Sequence, residues 1–181
     1  GVRVRLTPAM PWLSRFAELN VRTYVKAKAD SGAKPGVYFW SLEASNPVAV
    51  AAARTLFHLP YMNAAMQCEE RLGWIEYASR RTHGGEPAAA FRGRYRPGGV
   101  TEKSELVRWL TERYSLYTTD GGGRLYRGEI HHEPWPLLDA EAQIEENTMA
   151  KAAGIELPMR SPLLHFAKEL QVAIWPLERV G

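Results

Sequence analysis

Two stretches of alternating residues carry most of the side chains that could do chemistry. In Glu18 to Val25, residues Glu18, Asn20, Arg22 and Tyr24 fall on one face of a strand, and Leu19, Val21, Thr23 and Val25 on the other. In Arg124 to His132, residues Arg127, Glu129 and His131 share one face, extended by Leu125, with Tyr126, Gly128, Ile130 and His132 opposite. The planar fork of an arginine on such a face can hold a carboxylate. A glutamate two residues from a histidine can fix the imidazole tautomer, which makes Glu129 and His131 the candidate acid and base. Each stripe also has a plainer reading. The first is equally a solvated face or an Arg–Glu brace between strands, and the second an ionic network in which Arg127 partners Glu129.

Other constellations are thinner. Arg54 interrupts an alanine-rich helix on its polar side, and Tyr61 directly follows Pro60. The two could line the mouth of a pocket, or be a surface arginine and a core tyrosine. His131 and His132 are adjacent on a strand and point to opposite faces, so they cannot chelate one ion. His58, His83 and His165 show no ligand spacing, so no metal and no cofactor is expected. No Gly-x-Ser-x-Gly elbow surrounds any serine. The aromatic residues sit singly on strands, unlike a base-stacking platform, and the net charge of +3 is scattered.

The elements that must position these residues follow from pattern. The strands expected are Val2 to Leu6, Glu18 to Val25, Gly36 to Leu42, Tyr61 to Glu69, Trp74 to Arg81 and Ala88 to Arg96. Prolines 8 and 11 break the first, and Asp30 to Pro35 is a polar turn. Asn46-Pro47 caps a helix whose stripe reads Val48, Ala51, Ala52, Thr55, Leu56 and Leu59. Thr101 to Arg113 reads as a second helix, and Asn147 to Ala153 as a short third. Tyr114 to Thr119 and Arg124 to His132 form a hairpin around Asp120-Gly121-Gly122-Gly123. Leu137 to Glu146 fits strand or helix, and a last strand lies near Leu170 to Trp175. The sum is an α+β fold: a mainly antiparallel curved sheet or β-barrel with two or three short helices outside, one domain over residues 1–181. Its 181 residues with 45% hydrophobic and 24% charged content exclude a disordered chain. Cys68 is the only cysteine, which excludes an internal disulfide. No leader or apolar span is visible, so the expected setting is cytoplasmic, with no membrane and no nucleic acid as partner.

From Phe16-Ala-Glu-Leu-Asn-Val-Arg-Thr-Tyr-Val25 onward the chain resembles the YqjF-like family of bacterial proteins, a domain of unknown function. The resemblance continues through Lys34 to Ser45, Ala53-Arg54, His58-Leu-Pro-Tyr61, Thr111 to Tyr117, Tyr126 to His132, Pro134-Trp-Pro136, Asn147-Thr-Met149 and Pro162 to Ala167. It implies an acetoacetate decarboxylase-like β-barrel, and an opening N-terminal segment ahead of this chain. Unpaired strand edges left by that segment would favour a homodimer.

Superfamily members of known chemistry use a Schiff-base lysine in a stretch ending Gly-Phe-Pro-Lys-Lys. The matching stretch here is Phe57-His58-Leu59-Pro60-Tyr61-Met62, where a tyrosine and a methionine replace the lysines. A tyrosine cannot form an imine. Lys26, Lys28, Lys34, Lys103, Lys151 and Lys168 stand in polar stretches, turns or helix ends, where nothing depresses an amine toward neutrality. The resemblance therefore implies the fold without the decarboxylase chemistry.

Three functional readings follow. One is binding of a small organic anion by Arg22 or Arg127, with Glu18, Asn20, Arg54, Tyr61, Glu129 and His131 around it. Another is acid–base chemistry on a carbonyl or carboxylate substrate. The third is a structural protein whose polar stripes brace the barrel. The binding reading requires Arg22 and Glu129 to converge in one cavity, as alternate residues of distant barrel strands can.

Overall fold

Val37, Phe39 and Leu42 cannot all lie on one face of a regular strand, because 39 and 42 differ by an odd number. They nevertheless pack into one core. In the computed structural model, which describes residues 2–4, 16–28 and 34–180, β2 (Glu18–Val25) pairs antiparallel with β3 (Gly36–Ala44), and the register slips once. Val21 opposes Ser41 while Arg22 opposes Phe39, leaving Trp40 as the extra residue of a β-bulge. The bulge lets Phe39 and Leu42 face the same way.

Strand β3 is also a branch point. β2 runs along one edge, and two parallel strands share the other. β4 (Tyr61–Arg71) pairs at Leu42 to Ala44, and β7 (Ser115–Thr119) at Val37 and Tyr38. Beyond β4 the antiparallel strands β5 (Trp74–Arg81), β6 (Ala90–Val100), β9 (Leu138–Asn147) and β10 (His165–Phe166) follow. Beyond β7 come β8 (Leu125–His131), β11 (Val172–Ile174) and β1 (Val2–Val4), with β12 (Glu178–Arg179) also on β8. Among the described residues this is one twelve-stranded mixed sheet, whose end strands β1 and β10 do not pair. The hydroxyl of Tyr77 on β5 donates to the carbonyl of Glu18 on β2 at 2.7 Å. A flat sheet would hold those strands about 14 Å apart, so the sheet curls.

Two of the three helices pack on the face of Tyr24 and Val37. Asn46 caps α1 (Pro47–Phe57) by accepting from the amides of Val48 and Ala49 at 3.0 and 3.1 Å, and Pro47 sits in the first turn. Its buried residues are Ala49 and Val50, with Phe57 packed on the core. This corrects the expected stripe, since Val48 and Leu56 are exposed. A helix rich in alanine offers little to set its rotation, and Phe57 and Val50 decide it. α2 (Glu105–Thr111), capped by Ser104, lays Trp109 against Tyr24 at 4.7 Å between ring centroids. α3 (Met149–Ala152) buries Met149 and Ala150.

Several expectations on the elements are met. The β5 limits agree, and the glycine run is a turn in which Asp120 accepts from the amides of Gly122 and Arg124. Leu138–Asn147 resolves as strand. The prolines at 8 and 11 and most of the 30–35 turn lie outside the described residues.

Candidate functional site

Register decides which stripes can meet. Tyr24 opposes Val37, Val37 opposes Leu116, and Leu116 opposes Gly128. The Glu18–Tyr24 stripe therefore shares the helix-covered face with Gly128 and Ile130. On the other face, Thr23 opposes Tyr38, Tyr38 opposes Tyr117, and Tyr117 opposes Arg127. Arg22 and Glu129 thus point to opposite sides of the sheet, and their expected convergence in one cavity is overturned. Helices α1 and α2 lie on the side of the Glu18–Tyr24 stripe. Two groups of polar residues replace the single lumen.

The first group lies under α1. Tyr61, which opens β4, donates its hydroxyl to Glu18 Oε2 at 2.6 Å, and Arg54 of α1 donates to the Tyr61 carbonyl at 2.7 Å. Asn20 hydrogen-bonds the Glu18 carboxylate as well. Four of the sequence candidates therefore come together here. Arg22 does not join them; it is exposed, 6.0 Å from the Tyr24 ring. Burial pushes the Glu18 carboxyl above its ordinary 4.5, with the bonds from Tyr61 and Asn20 pulling partly back. Burial likewise pushes the Tyr61 phenol up, helped by the charge of Glu18.

A group whose folded-state pKa is raised binds more protons folded than unfolded. Stability should therefore fall as pH rises from 4.5 through the raised value of Glu18. Glu18→Gln, which can still accept from Tyr61, should flatten that slope. Urea midpoints across this pH range test it; an unchanged slope would remove Glu18 as its source.

The second group lies on the concave face and holds a pair that the sequence reading did not single out. Glu43 is fully buried, and the Arg81 side chain is 3% exposed. Arg81 Nε donates to Glu43 Oε1 at 2.9 Å, and Nη2 grips the same oxygen. Ser41 donates to Oε2 at 3.2 Å, and the remaining Arg81 nitrogen donates to the Pro87 carbonyl at 2.9 Å. Ser41 and Glu43, two residues apart on an otherwise apolar strand, were the available signal.

Farther along the same face, Arg127, Glu129 and His131 line an open cleft of about 520 Å³ with Lys34, Trp175 and Glu178. Lys34 Nζ lies 3.1 Å from each Glu129 oxygen, Arg127 Nε 3.2 Å from Glu129, and Arg127 Nη2 3.6 Å from Glu178. Glu129 is thus shared by two cations. His132, on the opposite face, is buried against Tyr114 and Trp135, its ring nitrogens 2.8 and 3.3 Å from the carbonyls of Glu133 and Arg113. Among the described residues, no three His, Cys, Asp or Glu side chains gather as a metal-holding group, and no helix is long and apolar enough to cross a membrane.

The model of DUF2071, described as an uncharacterized conserved protein, matches residues 1–171. The chain belongs to the DUF2071 family. It is 48% identical over 182 residues to the uncharacterized protein YqjF of Bacillus subtilis (strain 168), covering 99% of this chain and 72% of that protein. The DUF2071 fold is acetoacetate decarboxylase-like. The acetoacetate decarboxylase of Legionella pneumophila matches 92% of this chain and 67% of its own with a TM-score of 0.61 at 9% identity. A second acetoacetate decarboxylase structure matches 89% of this chain and 68% of its own, with a TM-score of 0.54 at 14% identity.

In this DUF2071 chain the stretch compared with the decarboxylase lysines runs from the end of α1 through His58, in the left-handed region at φ 49°, to Tyr61 at the head of β4. Tyr61 meets Glu18 there. All six lysines are exposed, and Lys34 is held by Glu129.

Proposed function

We propose that this DUF2071 chain binds a small organic anion, a carboxylate, in the cleft beside β8. One observation carries the proposal. The Arg127 side chain, 16% exposed, is set in a cleft of about 520 Å³, and one of its carboxylate partners, Glu178, is 70% exposed at 3.6 Å. A pair that long and that exposed is worth little and exchanges readily with an incoming carboxylate. The guanidinium fork suits such a guest. Trp175 supplies apolar wall, and the volume falls in the usual range of small-ligand sites, roughly 300–1,000 Å³.

The fold's solved relatives are named for acetoacetate, itself a small carboxylate, which sets the size class to try first. A cytoplasmic setting belongs to the same proposal. Acid–base chemistry by Glu129 and His131 has weaker support, because Lys34 and Arg127 occupy the Glu129 carboxylate.

Calorimetric or NMR titration with acetate, propionate and acetoacetate tests the reading. Arg127→Gln should weaken binding at least about tenfold. Glu178→Gln, which removes the internal competitor, should tighten it about two- to fivefold. Unchanged affinity in Arg127→Gln with native circular dichroism would sink the proposal.

A further inference from the structure

We infer that Arg22 and Arg113 form a site for a phosphate monoester, on the side of the sheet opposite the Arg127 cleft. Arg81, Arg92, Arg96, Arg124 and Arg127 each hold a carboxylate. Arg22 and Arg113 lie against aromatic rings instead, and among the described residues neither side chain makes an ion pair or a hydrogen bond. The guanidinium carbon of Arg113 stands 4.4 Å from the centre of the Trp109 ring and 5.7 Å from that of Tyr24; that of Arg22 stands 6.0 Å from the same tyrosine. The two cations are therefore no farther apart than the sum of the two tyrosine distances. Tyr24 and Trp109 pack on each other at 4.7 Å, which ties the start of the site on β2 to α2.

A ring face attracts a cation but offers no good acceptor to its N–H groups. Arg113 shows the consequence: its Nε is buried with no hydrogen-bond acceptor among the described residues. A buried donor left so is costly. The side chain as a whole is half-buried, so an oxyanion meets the terminal nitrogens first, and a small turn of the fork brings Nε onto a second oxygen. A monocarboxylate balances one guanidinium. A phosphate monoester carries about −1.5 to −2 at neutral pH and balances both. The ester's organic part has a shelf beside it. Trp109 and Leu106, three residues apart on α2 and so neighbours on its surface, are each 51% exposed.

The test follows the Trp109 indole N–H signal by NMR, assigned by its loss in Trp109→Phe. That signal reads this site and not the Arg127 cleft, so either proposal can fail alone. Phenyl phosphate, inorganic phosphate and benzoate are titrated into the full chain, Arg113→Gln, Arg22→Gln and, as a control for net charge, the exposed Arg80→Gln. Phenyl phosphate should bind about tenfold tighter than benzoate and about threefold tighter than inorganic phosphate. Arg113→Gln and Arg22→Gln should each weaken it at least about fivefold, and Arg80→Gln less than about twofold. Arg22 is exposed, so its variant carries the test if Arg113→Gln does not fold. Benzoate binding as tightly as phenyl phosphate overturns the phosphate class. No Trp109 response to phenyl phosphate at millimolar concentration, or a response undiminished in both arginine variants, overturns the site. Phosphatidylcholine vesicles carrying phosphatidic acid separate the sources of the phosphate group. Sedimentation with them that the arginine variants abolish assigns a lipid headgroup, and none assigns a soluble ester.

Discussion

Arg81→Met should cost the fold about 3–5 kcal/mol. Glu43 is fully buried, and Arg81 supplies both the fork on Oε1 and, among the described residues, the opposite charge paired with it. Without Arg81, one hydrogen bond of 3.2 Å from Ser41 is left to hold a buried carboxylate. Much of the loss comes from the stranded charge and not from the pair's own worth. The double change Glu43→Leu with Arg81→Met removes both desolvation penalties together and should recover most of it. Urea unfolding of the two single variants and the double variant measures this. A single-variant loss under about 1 kcal/mol would place the pair with ordinary surface ion pairs.

Gly36→Ala should destabilise by about 1–3 kcal/mol or more. A Cβ at residue 36 would stand 2.6 Å from the Ser115 carbonyl oxygen and 2.9 Å from Tyr117 Cε2. The nearest atom is backbone, so no side chain can swing aside. The strain falls on the pairing of β3 with β7, which rests on Val37 with Leu116 and Tyr38 with Tyr117. Gly84→Ala is the control, because a Cβ there meets nothing within 4 Å. It should stay within about 0.5 kcal/mol of the parent. Equal thermal midpoints for the two variants would show that β3 and β7 are not as close as described.

Local chemistry was readable wherever it acts between near neighbours. Asn46-Pro47 announced α1, and alternation placed Glu18, Asn20, Arg22 and Tyr24 on one side of β2, as its pairing with β3 bears out. Which side faced the helices was not readable. That depends on how β2 connects to β8 through β3 and β7, a relation among residues about a hundred positions apart. The bulge at Trp40 hid a second fact. Counting by twos along Gly36 to Leu42 puts Phe39 and Leu42 on opposite faces, while the real strand puts them together and sends Ser41 and Glu43 to the other side. The Glu43–Arg81 pair spans 38 residues between two strands, and nothing local in either marks the other. Glu18, Asn20, Arg54 and Tyr61 did assemble, but with one another, apart from Arg127.

The single extra residue in β3 makes this strand intolerant of changes in length, though not of changes in identity. Trp40 is 46% exposed, so many side chains can stand in its place. Loss of the residue is another matter: pairing would resume in step, and everything on one side of the slip would turn over. Either Val37 and Phe39 would leave the helix side, or Ser41 and Glu43 would be driven into it. Lineages descending from such a protein should vary freely in what occupies position 40 and hardly at all in whether it is occupied. The gaps that separate them should gather in turns such as the one at Gly84-Gly85, where the chain has room to lengthen.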